Sequence, residues 1–385
     1  MSAGGFSVRF VESESAIDPA LWEACFAPPL EGRWWYAALE QCGLQDQFSF
    51  FYGVIYRDGA AVGIAPAFVM NLPLGLVAPL GLAHAVDLLG RALPSLGRPR
   101  TLFVGSPCAD EGTVGMLPGV NRRGALLALQ LAFEVRAREL GAALLVWKDS
   151  PASDGADLQW IAQQRGLFPV ISFPGTLVEL PAGGKEAYFG ALKGSRRHVL
   201  KKKLRRSAER VEIRVDVLQF PDSRVLDALF GLFWQTYEKA TTRFERLNRR
   251  FFDLIAVRPE AHFIVLRERA SEEAIAFMLC FDMGSRIINK FIGIDYRRPR
   301  EWLLYFRLWD AAVDWAFARG AGAIQSGQTG YAPKIETGHR LVPLTNYCAH
   351  RNPVVHAIGR ACARHIHWST LDDDLARFVQ AHPQR

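Results

Sequence analysis

The stretch NKFIGIDYRRPREWLLYFRLWDAAVDWAFARGAGAIQSGQTGYAPKIETG, residues 289–338, decides the fold of this chain. A β-rich run over residues 286–295 predicts a strand, which Pro299 separates from the segment that follows. From Tyr305 onward, apolar residues recur with the 3.6-residue period of one helix face, and Gly320 ends that period. The stretch therefore predicts a strand, a turn and a long amphipathic helix.

The segment after this helix predicts a second strand at residues 323–326 and a loop with glycines and a lysine at residues 327–338. The start of the helix favours an anionic ligand, because free backbone N–H groups and the positive end of the helix dipole point there. Arg297, Arg298 and Arg300 add positive charge. A nucleotide diphosphate suits such a site. The alternative is an ordinary crossover whose arginines are merely solvated.

The composition indicates two domains. The chain has 385 residues, half of them hydrophobic, which is enough for two separate cores. No secretory signal pattern precedes residue 7, so we expect a cytoplasmic protein. Six cysteines lack C-x-x-C spacing, which favours reduced thiols over a disulfide framework. The histidines and cysteines of residues 339–367 fit no zinc template, so we expect no metal site.

An internal repeat supports the two-domain interpretation. Residues 54–70 and residues 264–281 each read as strand, turn, strand, and each pair is followed by a strand, a helix and a strand. Both halves thus have the order ββ, β, α, β. This order predicts an α/β (α+β) fold with mixed sheets flanked by helices, built from two copies of one module. We place the boundary at residues 180 and 181.

The positive charge of the chain is concentrated in one predicted helix, residues 193–210. This segment contains nine Lys and Arg residues against one acid, Glu209, so the rest of the chain is close to neutral. Ser195 is the expected N-cap, and apolar residues at helical spacing predict an inward face. The outward face suits a phosphate-rich partner, either tRNA or an anionic lipid surface. A solvated charged face is the alternative.

Residues 59–86 contain no Asp, Glu, Lys or Arg, a length that would span a bilayer as a helix. Within it, Pro66, Pro73 and Pro79 with Gly63, Gly75 and Gly81 argue against a helix. We predict instead a hairpin of residues 48–56 and 61–69, followed by an apolar loop. This loop either packs inside the protein or makes a peripheral contact at the inner face of the membrane through Leu72, Leu74, Leu76 and Val77.

The order of motifs within residues 290–338 resembles the C-terminal half of the GNAT-type acetyltransferases, in the branch of the FemAB peptidoglycan aminoacyltransferases and the BioF2-like acetyltransferase domain. Upstream, YFGALKGSRRHVLKKKLRR, residues 188–206, is similar to the helix that opens the catalytic domain in that branch. The resemblance covers residues 180–355 and consists of spacing and residue type.

The resemblance implies tandem GNAT-like modules. Only the second copy carries the arginine-rich turn and the KIETG loop. We therefore expect residues 1–180 to form a scaffold module without catalytic function and residues 181–385 to form the catalytic module.

The resemblance also implies an acyl-CoA cofactor, either acetyl-CoA or a longer acyl-CoA. In GNAT-type enzymes, an extended strand donates backbone N–H groups to the thioester carbonyl, and by this resemblance residues 291–295 would do so here. The predicted cofactor-binding residues are Ile292, Gly293, Ile294, Arg297, Arg298, Arg300 and Leu303.

Three side chains are candidate catalytic residues. Asp295 can accept the amine proton, although a turn aspartate paired with an arginine is the alternative. Tyr305 can reprotonate the leaving thiolate, or it is simply packed. Lys334, at a position where the resemblance places a lysine, can neutralise a phosphate or a carboxylate, or it is a solvated loop lysine. For substrate binding, the sequence offers the hydrogen-bonding side chains of Gln328, Thr329 and Tyr331.

Three functions follow from these observations. The first is an N-acyltransferase that moves an acyl group from acyl-CoA to an amine of a small molecule or a cell-envelope precursor. The second is FemAB-like aminoacyl transfer from aminoacyl-tRNA to a peptidoglycan-type precursor, for which the basic helix would bind RNA phosphates. The third is a binding module for nucleic acid or a membrane surface without catalysis. No long inserted helical hairpin of the Fem ligases is present.

Overall fold

A computed structural model describes residues 5–76, 88, 97–240, 243 and 245–382. The strands in this part of the chain are β1 (Phe6–Val11), β2 (Ser49–Arg57), β3 (Ala60–Asn71), β4 (Arg100–Val104), β5 (Gly115–Met116), β6 (Leu144–Pro151), β7 (Phe168–Ile171), β8 (Gly175–Glu179), β9 (Ile213–Leu218), β10 (Ala261–Glu268), β11 (Ala274–Asp282), β12 (Arg286–Ile294), β13 (Ala323–Ser326), β14 (Arg340–Val342) and β15 (Leu344–His350). The helices are α1 (Pro19–Cys25), α2 (Arg33–Gln41), α3 (Arg122–Glu139), α4 (Ala152–Arg165), α5 (Gly184–Ala191), α6 (Gly194–Arg210), α7 (Ser223–Lys239), α8 (Arg249–Ala256), α9 (Leu304–Ala318), α10 (Tyr331–Glu336), α11 (Pro353–Ala363), α12 (Trp368–Leu371) and α13 (Asp373–Ala381).

The chain forms two compact units, each with its own mixed sheet. The first unit comprises Met1–Ala27, Gly32–Pro174 and Val342–Arg385, and the second comprises Pro28–Glu31 and Gly175–Leu341. This division differs from the predicted one, in which all residues after 180 form the second module. The reason is that β15 pairs with β6 and β7 of the first sheet, so the C-terminal segment packs with the first unit.

The sheet of the first unit has the order β1-β2-β3-β4-β6-β15-β7, with β5 paired to β3. The predicted hairpin is confirmed as β2 and β3, which pair from Ser49 with Val69 to Arg57 with Ala60. Helix α3 packs on this sheet through a core that includes Phe6, Leu129 and Phe133. Of the apolar loop that follows β3, Leu72 is buried, Leu74 is half-buried and Leu74–Leu76 form a 3-10 turn, whereas Val77 lies outside the described residues.

The sheet of the second unit has the order β14-β8-β13-β12-β11-β10-β9. Helix α9 lies over it, and Leu308, Trp309, Ala312, Val313 and Ala316 are buried, as the apolar period of this segment predicts. Both units therefore contain the predicted order of two antiparallel strands, a strand, a helix and a strand. In each unit the last two strands of this order, β4 with β6 and β12 with β13, run parallel.

The local structure departs from prediction in two segments. Residues 327–338 are not all loop, because Tyr331–Glu336 form helix α10. Pro333 is tolerated there since the first turn of a helix leaves its N–H groups without intrahelical partners. Helix α6 begins at Gly194, so Ser195 lies inside the helix and does not cap it. On its inward face Ser207 is fully buried and donates a hydrogen bond of 2.6 Å to the Trp302 carbonyl.

Candidate functional site

The parallel strands β12 and β13 separate part of the way along β12. They pair only from Arg286 with Ala323 to Asn289 with Ser326. Beyond Asn289, β12 continues to Ile294 and stays paired with β11 on its other side. Within the described part of the chain, residues 290–294 therefore have one strand edge that no neighbouring strand occupies. Such an edge offers backbone N–H and C=O groups to a ligand.

Helix α7 covers one face of β12 beside this edge. A Cβ atom at Gly293 would lie 2.5 Å from the backbone nitrogen of Phe233, so only glycine lets the helix approach so closely. The N–H of Ile294 donates to the Thr236 hydroxyl at 3.0 Å. Of the three predicted strand residues, Gly293 is thus covered by the helix and Ile294 has its amide engaged. Ile292 lies two residues before Ile294 and faces the same edge, because alternate residues of a strand point their amides to the same side.

The start of helix α9 has free backbone donors. Leu303 is its N-cap residue, has a φ of 51° and makes no side-chain cap hydrogen bond. A short 3-10 turn, Arg300–Trp302, leads into it. The first N–H groups of a helix lack intrahelical acceptors, and here no side chain of the cap satisfies them. This geometry is the one that the sequence predicts for an anion-binding helix start.

An open cleft of about 470 Å³ lies between helix α6 and this turn. It is lined by five basic side chains, one acid and two apolar residues, namely Lys202, Lys203, Arg206, Arg210, Arg300, Glu301, Val199 and Leu303. The structure therefore brings together two features that the sequence shows separately, the basic helix and the arginine-rich turn. Of the predicted cofactor-binding residues, Arg300 and Leu303 line this cleft.

Most cations of the cleft have no counter-ion. Among the described residues, Lys202, Arg206, Arg210 and Arg300 form no ion pair, and only Lys203 pairs with an acid, Glu336. Four uncompensated cations around one concave surface repel each other and attract a polyanion. The cleft therefore has the positive charge to attract a ligand with two or more phosphate groups.

The other two arginines of the turn pair with Asp295. Arg297 contacts both oxygens of this carboxylate, at 2.8 and 2.9 Å, and Arg298 contacts it at 3.3 Å. Arg298 also pairs with Glu268 and Glu273. These two arginines do not line the cleft, and acidic side chains compensate their charge.

Asp295 itself is 2% exposed. Hydrogen bonds from Arg297 lower the pKa of this carboxyl, although burial acts in the opposite direction. Of the two roles that the sequence allows for Asp295, the structure shows the second, a turn aspartate paired with arginines. A carboxylate with a lowered pKa and both oxygens engaged is a poor acceptor for the proton of an amine.

Tyr305 has a buried hydroxyl for which the described residues supply no hydrogen-bond partner. Burial, and then the neighbouring Tyr188, raise the pKa of this phenol, so it stays protonated at neutral pH. A buried hydroxyl without a partner costs free energy, and such atoms often meet a ligand or water. Tyr305 lies in the first turn of α9, two residues after the N-cap residue Leu303.

Lys334 and the predicted substrate-binding residues lie on the segment after β13. Lys334 is buried, and its amine donates a hydrogen bond to the Gly327 carbonyl. Tyr331 is 0% exposed. Gln328 and Thr329 are half-buried and lie in the turn between β13 and α10. The structure thus shows Lys334 inside the protein and holding this turn, where the sequence predicts a loop lysine.

A buried polar chain lies where β12 and β13 separate. The Asn289 side chain donates to the Ser326 hydroxyl at 3.2 Å, and this hydroxyl lies 3.1 Å from Nε2 of His339. Nδ1 of His339 lies 2.9 Å from the Lys334 carbonyl, which assigns its proton to Nδ1. Burial, and then the charge of Lys334, lower the pKa of His339 to about 3. This histidine is therefore neutral and structural.

A buried ion pair lies at the same place. Lys290, 2% exposed, is 2.7 Å from Glu31, and Arg286 donates to the Pro29 carbonyl at 3.0 Å. Burial raises the pKa of Glu31, but the charge and hydrogen bond of Lys290 outweigh it and lower this pKa overall. The partners are more than 250 residues apart, and no local pattern connects them.

No group of three or more His, Cys, Asp and Glu side chains that could hold a metal ion occurs in the part of the chain that the structure describes. None of the described helices is both long enough and apolar enough to span a bilayer.

Most of the second unit and part of the C-terminal segment resemble a known family. Residues 183–370 match the model of a FemAB-like family described as peptidoglycan biosynthesis/recognition. No curated protein matches the chain significantly.

Solved structures show the same fold at low sequence identity. The chain is similar to FemX, with a TM-score of 0.59 and 11% identity over 91% of this chain and 99% of that one. It is similar to a tandem GNAT protein from the clavulanic acid biosynthesis pathway, with a TM-score of 0.52 and 12% identity over 90% and 99% of the two chains. L-PGS from Bacillus licheniformis gives a TM-score of 0.51 and 15% identity over 86% and 96%.

Proposed function

We propose that this chain, whose residues 183–370 match the FemAB-like family model and whose fold is that of tandem GNAT proteins, moves an acyl group from acyl-CoA to an amine of a small molecule or a cell-envelope precursor. The observation that carries the proposal is the cleft between α6 and the start of α9, with its four unpaired cations and its helix start without a cap. The description of the matching family, peptidoglycan biosynthesis/recognition, supports the cell-envelope precursor as acceptor.

In this proposal the cleft binds the phosphates of the donor. Arg300, at the turn, and Lys202 and Arg206, on α6, neutralise the diphosphate, while the first N–H groups of α9 donate hydrogen bonds to it. The preference for a polyanion comes from repulsion between these cations, which a diphosphate relieves.

The open edge of β12 would hold the reacting carbonyl. The N–H of Ile292 faces this edge, whereas the N–H of Ile294 already donates to Thr236. A fixed backbone donor stabilises the oxyanion that develops when the amine attacks the thioester, without reorganisation during the reaction. The proposal thus assigns the carbonyl contact to one residue of the predicted strand segment.

Proton transfer at the leaving group is assigned to Tyr305. The new C–N bond forms as the C–S bond breaks, the thiolate takes the proton of the buried phenol, which has no other partner among the described residues, and the phenolate regains a proton from water. Asp295 stays paired with its arginines and keeps the turn in shape, so the proton of the amine passes to water. Gln328 and Thr329, after β13, are the proposed contacts of the acceptor.

One observation favours aminoacyl-tRNA as the donor in place of acyl-CoA. Exposed cations of α6, among them Lys201 and Arg205, lie outside the cleft, so the basic surface is larger than a diphosphate needs. A nucleic acid contacts many phosphates along such a surface. The chemistry at the carbonyl would be the same, with a ribose hydroxyl as the leaving group.

Calorimetric titration of the full chain with acetyl-CoA, palmitoyl-CoA and an aminoacyl-tRNA tests the proposal. We expect an acyl-CoA to bind, and the K202Q/R206Q/R300Q variant to bind it much more weakly. The K201Q/R205Q variant is the matched control, because it removes cations from the same helix outside the cleft.

The two donors give different patterns. Binding of tRNA alone, weakened in both variants, would establish the aminoacyl alternative. If no donor binds, or if the cleft variant binds acyl-CoA as well as the wild type does, the proposed site is wrong.

A further inference from the structure

Helix α11, Pro353–Ala363, turns its apolar side away from the protein. Val354, Val355 and Ile358 are 65%, 39% and 57% exposed. Only Ala363 of this helix is buried. Amphipathic helices on the surface of globular proteins normally point their apolar face toward the core. Three exposed branched side chains on two turns are therefore unusual and indicate a partner.

The inward side of the helix is made of small and polar residues that rest on one aromatic ring. The ring of His356 packs edge-on against Phe168, with centroids 5.0 Å apart. A Cβ atom at Gly359 would lie 3.1 Å from the same ring, so the helix lies close to the surface of the first unit. Val354 and Ile358 are one turn apart on the opposite side. The helix consequently lies flat, with its apolar side outward.

Arginines surround this apolar side. Arg351, Arg360 and Arg364 are exposed, and among the described residues none of them forms an ion pair. Residues 337–371 contain no Asp or Glu. Arg360 and Arg364 lie one turn apart on a flank of the helix. The surface thus combines an apolar centre with a cationic rim.

We propose that α11 docks on an anionic lipid surface. A flat helix with an apolar outward face and arginines at its flank fits the boundary between headgroups and acyl chains, where the side chains of Val354, Val355 and Ile358 leave water. The arginines then meet lipid phosphates. A second protein molecule fits less well, because three side chains supply far less than the roughly 800 Å² that each partner of a standard interface buries. The inference is independent of the acyl donor.

Sedimentation with vesicles tests the inference on the full chain. We expect binding to vesicles of equal parts phosphatidylglycerol and phosphatidylcholine, and little binding to phosphatidylcholine alone. The V354S/V355S/I358S variant should bind about tenfold more weakly or worse, because it removes the apolar contact. The R351Q/R360Q/R364Q variant should lose the preference for anionic vesicles.

The chain offers a matched control for the apolar variant. Val215, Val217 and Val257 are 45%, 42% and 68% exposed but lie on β9 and after α8. The V215S/V217S/V257S variant removes as many exposed apolar side chains and should bind vesicles like the wild type. Equal loss in both variants would overturn the inference, and so would absence of wild-type binding.

A second measurement places the contact on α11. Cys362 is the exposed cysteine, whereas Cys25, Cys42, Cys280 and Cys348 are buried. In a C108S background, a polarity-sensitive fluorophore on Cys362 should shift to shorter emission wavelength with anionic vesicles. No shift despite vesicle binding would assign the contact to another surface, such as α6, and overturn the inference. A concentration-dependent dimer that the apolar variant abolishes would also overturn it.

Discussion

The starts of helices α3 and α9 occupy the same place in the repeated order of the two units, but their surroundings differ. In the first unit, Asn121 caps α3 by accepting a hydrogen bond from the Gly124 N–H at 3.2 Å. Arg122 pairs with Asp154 at 2.7 Å, and the cavity at this place holds only about 10 Å³. In the second unit, α9 has no side-chain cap and borders a cleft of about 470 Å³.

The parallel strand pairs beside these helices also differ in how far they stay paired. Residues 101–104 of β4 are paired with β6, whereas β12 leaves β13 after Asn289. At this place the first unit has a capped helix start and a paired arginine, whereas the second unit has a helix start without a cap and four cleft cations without ion pairs among the described residues. Duplicated modules can share a fold while only one keeps the unsatisfied groups that a ligand needs. This supports the proposal that the first unit is a scaffold, which stays a prediction.

The largest expected effect is at the buried ion pair of the second unit. Glu31→Ala leaves Lys290 charged and buried, which should lower the free energy of unfolding by about 3 to 5 kcal/mol. Urea unfolding measures this change.

The control for this pair lies in the first unit. Glu12 is largely exposed in its ion pair with Arg136, so Glu12→Ala should cost about 1 kcal/mol or less. The E31L/K290M variant, which removes both charges, should recover most of the loss. Similar values for E31A and E12A would contradict the role of burial.

The cations at the two helix starts should affect donor binding differently. K202Q/R206Q/R300Q should weaken acyl-CoA binding about a hundredfold, taking about 1 kcal/mol for each lost phosphate contact. Arg122→Gln should leave donor affinity unchanged, because Arg122 is already neutralised by Asp154. Dissociation constants measured by calorimetry for both variants test this difference in donor binding. A comparable loss in R122Q would show that the first unit also binds the donor.

The buried histidine of the second unit should make stability depend on pH. Its folded pKa of about 3 lies below that of an unfolded histidine, so the unfolded chain binds the proton first as the pH falls. The contribution of His339 is therefore complete above about pH 6.5 and is lost at roughly 1.4 kcal/mol per pH unit below it.

Urea unfolding at pH 6.5 and pH 5 measures this contribution of His339 to stability. The wild type should lose about 2 kcal/mol more than the His339→Gln variant over this interval. Equal losses in the two proteins would mean that His339 is protonated in the folded state or is exposed.

The smallest effect concerns the cap of the first unit. Asn121→Ala should lower stability by about 1 kcal/mol, because the Gly124 N–H loses its acceptor. Asp222→Ala, at the cap of α7, should cost a similar amount. Neither variant should change donor affinity. A fall in donor affinity in N121A would link the first helix start to the site.

Local patterns were sufficient for the elements of the repeat. The period of α9, the alternation of the β2 and β3 hairpin and the glycine after α9 depend on neighbours within a few turns, which the sequence shows directly. Charge counting likewise located the basic helix. Side-chain roles at residues 295–300 were harder to predict, because adjacent arginines look alike until their partners are known.

The sequence by itself determined the order of strands and helices, the repetition of one module and the concentration of charge in α6. Tertiary structure decided that Arg300 faces a cleft while Arg297 and Arg298 close on Asp295, that Lys334 is buried, and that residues after 342 return to the first sheet. These outcomes depend on contacts between residues far apart in the chain. Only the folded chain determines which charges meet a partner and which are left without one.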